Sequence, residues 1–504
     1  MTKYTDMCEA FAKKVDFNAK SPVGSPAGSP FDAAKLQAVV NKAALSMNRS
    51  YRGSYAEPLA ARLPALTAEL QRELKQAVAQ GDDPKELHAS IQSTVDTLVG
   101  AVRDWAEPAY AAPLKRFEAV ISNLYRSFLS HNQRAGMPAP LIETVPPLVT
   151  FAPLPDQGPF TMPADDVNDL IGVKIGVVSL PGSYRDHPLT WSALAHECGG
   201  HDVVHADPGL ELELARGAEK LPHLPAGVGR LWGSWMDEAV ADVYGLLNVG
   251  PAFAINLAAF FSALRAAGSP GQAQLGPISN ILPLQNGRPA DVHPVDLLRV
   301  YLAIGVTEQL TSLSSASKTN WIAQLQTIAT EAGGGVTSID VVEVTTRQLV
   351  QRLPLSDMAA AAQAVGGYIA TARLAALGGH SIQDIETWDD ADEAAGQTVF
   401  QAAKAGKSLI GLGDDAQLLA GTNMAFYDDA GRYDAITAVL NDALDDSYLR
   451  DPVFGPPAAF RAAARRRVGR AYAASPIFPL FPLASFPHAA PAATAVASPR
   501  KRRR

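Results

Sequence analysis

Residues Leu189–Asp207 read LTWSALAHECGGHDVVHAD. The reading of this stretch decides both the fold expected for the middle of the chain and its chemistry. It starts like the zinc-protease pattern H-E-x-x-H, with His196 followed by Glu197. Three residues, Cys198, Gly199 and Gly200, then separate that pair from His201, where the pattern has two. Two ligands on one helix normally stand four apart, because positions i and i+4 share a face. At about 100° per residue, His196 and His201 would point about 140° away from each other on a regular helix. They converge only if the helix takes an extra residue into one turn, as a π-bulge does. Gly199 and Gly200 sit where that distortion is needed, and glycine lowers its cost. A regular helix gives a second reading. Glu197, His201 and His205 then form an i, i+4 stripe that binds a metal without a bulge, with Asp202 in the base position of an H-D-x-x-H pair.

The flanking segments extend the pattern. Upstream, DLIGVKIGVVSLPG (Asp169–Gly182) is a β-type run of valines and isoleucines closed by Pro181-Gly182, which predicts a strand. The motif helix is expected to be capped by Asp186 or His187, with Pro188 in its first turn, and to stop at Asp207-Pro208-Gly209. Downstream, LWGSWMDEAVADVYGLLNVG (Leu231–Gly250) predicts a helix ending at the glycine. It places Glu238 and Asp242 four apart on one face. A buried carboxylate needs a partner. A glutamate for a metal and an aspartate that orients a ligand histidine meet that need together. A third helix, from Pro251, is apolar nearly all round and therefore expected to be buried.

Composition sets the frame. The 504 residues are 47% hydrophobic and 19% charged, which is globular material, and the net charge of −8 argues against nucleic-acid binding by the folded body. Two cysteines, Cys8 and Cys198, cannot build a disulfide framework and suit a reducing, cytoplasmic setting. The N-terminus lacks a basic and then apolar leader, and the longest apolar run, Pro251–Leu264, is too short to span a membrane. Alanine and leucine at helical spacing predict a mainly α chain of α+β class. The expected division is a helical region at 1–165, a metal-binding core with a small sheet and two motif helices at 166–310, and a second helical region at 311–470. A Pro/Ala-rich tail with a basic end, 471–504, is expected to be disordered. GLGDDA at 411–416 shares only its glycines with a phosphate loop.

The two motif halves together resemble the gluzincin zinc peptidases, thermolysin among them, which take a third ligand from a downstream E-x-x-x-D helix. HECGGH and DEAVAD are similar to the two motifs of the dipeptidyl peptidase III family, whose H-E-x-x-G-H carries the same extra residue. The resemblance covers about residues 171–250 and implies a zincin-like core. It implies one Zn²⁺ per chain, with His196, His201 and Glu238 as ligands, Glu197 as general base and Asp242 as partner of a ligand histidine. It also implies that Val173–Leu180 is the edge strand that holds an extended peptide substrate. His205 is read as a supporting or helix-end histidine. In DVHPVDLLRVYLA (Asp291–Ala303), His293 is read as the donor that stabilises the oxyanion, with Arg299 and Tyr301 on the helix behind it. The function expected is zinc-dependent peptide hydrolysis. Two alternatives stand beside it. One is a mono- or dinuclear iron or manganese site of a non-peptidase enzyme. The other is a helical protein whose metal is structural.

Overall fold

The computed structural model describes residues 2–16, 32–47, 51–80, 84–129, 146–151, 159–267 and 277–450. These belong to one unit, Met1–Ala464, and the expected tail at 471–504 lies outside the described residues. The architecture is mainly helical with two small sheets. Helices α1 (Lys3–Lys14), α2 (Ala33–Ala44), α3 (Glu57–Gln80), α4 (Pro84–Asp104) and α5 (Ala111–Leu129) come first. Their apolar stripes supply Phe11, Leu63, Val95, Leu98, Phe117 and Leu124 to the core.

The first sheet differs from expectation in a way that matters for the site. It contains β1 (Leu148–Thr150), β2 (Phe160–Met162) and β3 (Val177–Ser179), in the order β1-β3-β2. The valine-rich strand is therefore the central one and not an edge. It pairs parallel with β1 (Leu148 opposite Val177) and antiparallel with β2 (Phe160 opposite Ser179). A run in which Val177, Val178 and Leu180 are all buried is what a strand enclosed on both sides requires. The edges are β1, which is buried, and β2, which is partly exposed. The start of DLIG is helical: it completes α6 (Ala164–Ile171), which ends at Gly172 with φ +72°, a left-handed cap open to glycine.

After a 3₁₀ turn (Pro188–Thr190) whose N-cap is His187, the motif segment begins at α7 (Ala193–His196). It continues as a π-helix over Glu197–Asp202 and closes with the short turn α8 (Val203–His205). Helices α9 (Leu210–Ala218) and α10 (Val228–Ser234) lead to α11 (Met236–Val249) and α12 (Ala252–Ala267). The expected single helix Leu231–Gly250 is thus broken at Trp235, whose indole is buried and donates to the Asp291 carbonyl at 3.2 Å. Helix α11 is central: every residue from Glu238 to Val249 is buried. Helix α12 packs beside it, with Phe253, Ile255, Ala258, Ala259 and Ala263 buried, as its all-round apolar sequence predicts.

The second sheet has the order β5-β4-β6-β7. Strands β4 (Ile281–Gln285) and β5 (Arg288–Pro289) form a hairpin around Asn286-Gly287, both at positive φ. It delivers the chain through Asp291 and His293 to α13 (Asp296–Gln309) and α14 (Ser315–Gly333). Strands β6 (Ser338–Glu343) and β7 (Gln348–Pro354) form an antiparallel hairpin inside a region expected to be mostly helical. Glycines 333–335 stop α14 before it, and the β-branched Ile339, Val341 and Val342 favour the extended form. Helices α15 (Leu355–Thr371), α16 (Asp390–Lys404), α17 (Asp415–Asp428) and α18 (Tyr433–Arg450) follow. GLGDDA proves to be the start of α17, where Asp414 and Gln417 form a capping box. Among the described residues no helix is long and apolar enough to cross a membrane.

Candidate metal centre

The π-helical segment answers the spacing problem posed by HECGGH. Between Glu197 and Asp202 the turn is wide enough to take the extra residue, and His196 and His201 emerge on one side. Their rings meet edge to face, with centroids 5.0 Å apart and planes at 88°. Gly200 has a sharper role than cheap distortion. A Cβ built there would lie 2.2 Å from both Cα and Cβ of Ala241 on α11, so the bulge and the central helix touch backbone to backbone. This close approach brings α11 within reach of both histidines.

Helix α11 answers with three carboxylates. Glu238 faces both imidazoles, with Oε2 3.1 Å from His196 Nε2 and Oε1 3.7 Å from His201 Nε2. One turn on, Asp242 accepts from His196 Nδ1 at 2.9 Å. Asp237, next to Glu238, accepts from His201 Nδ1 at 3.0 Å. Asp242 is itself gripped by Arg299 of α13, at 2.6 Å from Nε and 2.7 Å from Nη2, and the guanidinium lies 4.7 Å above the Phe261 ring. Arg299 and Asp242 are each 5% exposed, so this is a buried ion pair in which each charge compensates the other.

The electrostatics follow from burial opposed by neighbours. Burial works to raise Glu238, but His201 and then His196 and His293 hold its carboxyl well below the usual carboxylate range. Burial also works against a charged His201, yet Glu238 and Asp237 lift it to about 10. Asp242 is held below its ordinary value, against burial, by Arg299 and His196. Asp237 is held low, again against burial, by His201 and His205.

The remaining candidates take distinct places. Glu197 is buried beside the histidines, and the Thr161 hydroxyl of β2 lies 2.9 Å from both its carbonyl oxygen and its Oε2. His205 stands apart from Glu238: its Nδ1 is 3.6 Å from Asp165 and its Nε2 3.5 Å from Asp237. His293 points Nε2 at Glu238 Oε1, 3.3 Å away, while Nδ1 meets Asp291 at 2.7 Å. Cys198 is fully buried with Sγ 3.8 Å from the Ile121 carbonyl oxygen, a packed residue facing away from the cluster. Tyr301 is partly buried on α13.

The donor set suits a cation. One ligand atom each from His196, His201 and Glu238 lies within 4.8 Å of the other two. Glu238 Oε2 is buried without a hydrogen-bond partner, although His196 Nε2 is close by. Both Nδ1 atoms are engaged by carboxylates, which leaves both Nε2 atoms turned inward on the Glu238 carboxylate, His196 on Oε2 and His201 on Oε1. Three contributors were not read from the sequence. Asp237 has a visible signal, the Asp-Glu pair at the start of α11. Asp291 stands two residues before His293 in the quoted segment. Thr161 carries no local signal, since only the pairing of β2 with β3 brings it to Glu197. No family model, curated protein or solved structure matches the chain.

Proposed function

We propose that the chain is a zinc-dependent metallopeptidase, with one Zn²⁺ held by His196, His201 and Glu238 in a zincin-like core. The observation that carries this reading is the convergence of two carboxylate-anchored imidazoles on the buried Glu238 carboxylate, with one ligand atom from each of the three residues within 4.8 Å of the other two. Zinc bound there supplies polarisation of a scissile carbonyl and a water of lowered pKa. The protein's own groups do the rest. Asp242 and Asp237 hold the two imidazoles in the tautomer that frees Nε2. Glu197, steadied by Thr161, accepts the proton of the attacking water and passes it to the leaving amine. His293 is the proposed donor to the carbonyl oxygen as negative charge develops there. The partly exposed edge strand β2, and not the central β3, is the proposed rail for an extended peptide, and Thr161 links that rail to the base.

The test is Glu197→Gln. The variant should retain one zinc per chain and lose hydrolysis of a peptide library by at least a hundredfold, within the range of general-base effects. Unchanged turnover would remove Glu197 from the mechanism.

One observation favours a second reading, a dinuclear carboxylate–histidine site of a non-peptidase enzyme. Asp165, Asp166 and His205 also bring three ligand atoms within 4.8 Å of one another, and Asp237 contacts both His201 and His205. Two iron or manganese ions per purified chain, falling to one in His205→Ala, would support it over the zinc reading.

A further inference from the structure

We infer that the groove between α9 and the end of α15 is a docking site for an acidic peptide segment of a partner protein. The inference is independent of the metal centre and rests on the hydrogen-bond donors that line the groove.

Leu210, Leu214 and Ala218 bury one face of α9 in the core. The other face carries Leu212 and Arg216 one turn apart, and the same stripe runs on to Lys220 just past the helix end. Tyr368 of α15, with Ala372 and Arg373 just beyond that helix, forms the second wall. The space between is a groove of about 710 Å³, within the ordinary range of ligand clefts. Glu213 ties the walls together, because its two carboxylate oxygens accept from the backbone N–H groups of Ala375 and Ala376 at 2.7 and 3.0 Å. Gly217 sets their spacing, since a Cβ there would occupy the place of the Tyr368 hydroxyl.

The side-chain groups left over in this groove are donors. Arg216 and Lys220 are exposed and form no ion pair or hydrogen bond among the described residues, and the Tyr368 hydroxyl has no partner there either. Arg373 gives Nη1 to Asp384 at 2.8 Å and to the Gly379 carbonyl oxygen at 3.4 Å, which leaves Nε and Nη2 to donate elsewhere. Glu213, the one carboxylate among the described lining residues, has both oxygens engaged. A ligand that fits this set brings acceptors and negative charge. In a chain of net charge −8, a lining with three cations is a local exception. Cations also complement a helix C-terminus, but that pole carries only about half a unit of charge. Arg216 and Lys220 bring two charges to it, and Arg373 stands on the other wall. The shape and apolar content select a peptide over a small anion. The groove is open rather than enclosed, and Leu212, one turn before Arg216, is 52% exposed. An acidic peptide lays carboxylates on Arg216 and Lys220 and an apolar side chain on Leu212 and Ala372, the way arginine clusters read acidic motifs. The chain's own basic stretch RKRRR, at 500–504, is repelled by the same cations, so the occupant is another protein.

The experiment is fluorescence anisotropy of a labelled peptide of Glu-Glu-Leu repeats, titrated with the full-length chain at low ionic strength. Binding should saturate and should weaken severalfold as added salt screens the charges. The same peptide with Lys in place of Glu should not bind. Arg216→Glu/Lys220→Glu should weaken binding of the acidic peptide by about tenfold or more and should take up the lysine peptide, an exchange that misfolding cannot produce. The double variant should unfold at the wild-type denaturant midpoint, because both side chains are exposed and unpaired among the described residues. Failure of the wild type to bind the acidic peptide, equal binding of both peptides, or a double variant that binds the acidic peptide as the wild type does would overturn the assignment. Displacement of the peptide by an equal concentration of inorganic phosphate would give the groove to a small anion and overturn it as well.

Discussion

Gly200→Ala is the most direct probe of how the bulge and α11 are held together. The added Cβ would meet Ala241 Cα and Cβ at 2.2 Å and the Ala241 carbonyl carbon at 3.1 Å. Ordinary carbon–carbon contact is about 3.5–4.0 Å, so the two segments must part by roughly 1.3–1.8 Å. No rotamer change relieves this, because two of the three atoms are backbone. Overpacking of a tight core costs typically about 1–3 kcal/mol, and a backbone clash belongs at the upper end. The gain in intrinsic helix preference from Gly to Ala returns about 1 kcal/mol. A net loss of about 2 kcal/mol is expected in urea unfolding of the metal-free protein. Parting the segments also draws His201 away from Asp237 and Glu238, so zinc affinity should fall by about two orders of magnitude, as ångström-scale misplacement does at reacting centres. Trimming the neighbour as well, in Gly200→Ala/Ala241→Gly, should not restore either property, because the Ala241 Cα remains. A Gly200→Ala protein that unfolds at the wild-type midpoint and binds zinc equally tightly would refute the backbone-contact account of this glycine.

Two further outcomes follow from buried charges. Arg299→Leu leaves Asp242 buried and uncompensated, which should cost about 3–5 kcal/mol in denaturant unfolding, while Arg299→Leu/Asp242→Leu should recover most of that loss and still bind zinc weakly. Asp104, 5% exposed at the end of α4, has its carboxyl pushed up to about 6 by burial despite the Thr150 hydroxyl donating to it at 2.7 Å. The folded chain therefore binds this proton more tightly than the unfolded chain does, and stability should fall by about 2–3 kcal/mol as pH rises from about 4 to about 6. Asp104→Asn should flatten that part of the stability–pH curve and make the protein more stable than wild type at pH 7; an unchanged curve would show that Asp104 is not the group responsible.

The parts of the centre that could be read from the sequence are those set by local periodicity. His196, His201, Glu238 and Asp242 declare themselves because helical spacing, and its interruption by two glycines, is a property of a short window. The mainly helical architecture is legible for the same reason, through Ala and Leu spacing and through glycines such as Gly250 at a helix end. What could not be read depends on partners distant in sequence. Val177–Ser179 announces a strand, but whether it is central or an edge depends on Leu148 and Phe160, which periodicity does not link to it. The hairpin Ser338–Pro354 interrupts a helical region because short strands draw their hydrogen bonds from each other, and β6 also from β4. Helical spacing does not group Asp237 with the site, since it lies about 100° round the helix from Glu238. It reaches the cluster only because the bulge sets His201 to that side.

The grip of Arg299 on Asp242 has a consequence for ion valence. Glu197, Glu238 and Asp242 are all under one-tenth exposed, and Arg299 is the buried cation among them. With the ligand imidazoles neutral, three carboxylates against one guanidinium leave two negative charges in a region with little water to screen them. A divalent ion brings that region to electroneutrality. A monovalent ion leaves it negative and a trivalent ion leaves it positive, each at the desolvation cost of an unbalanced charge. Arg299, which touches no proposed substrate or ion, would thereby set the charge of an ion that balances the proposed centre.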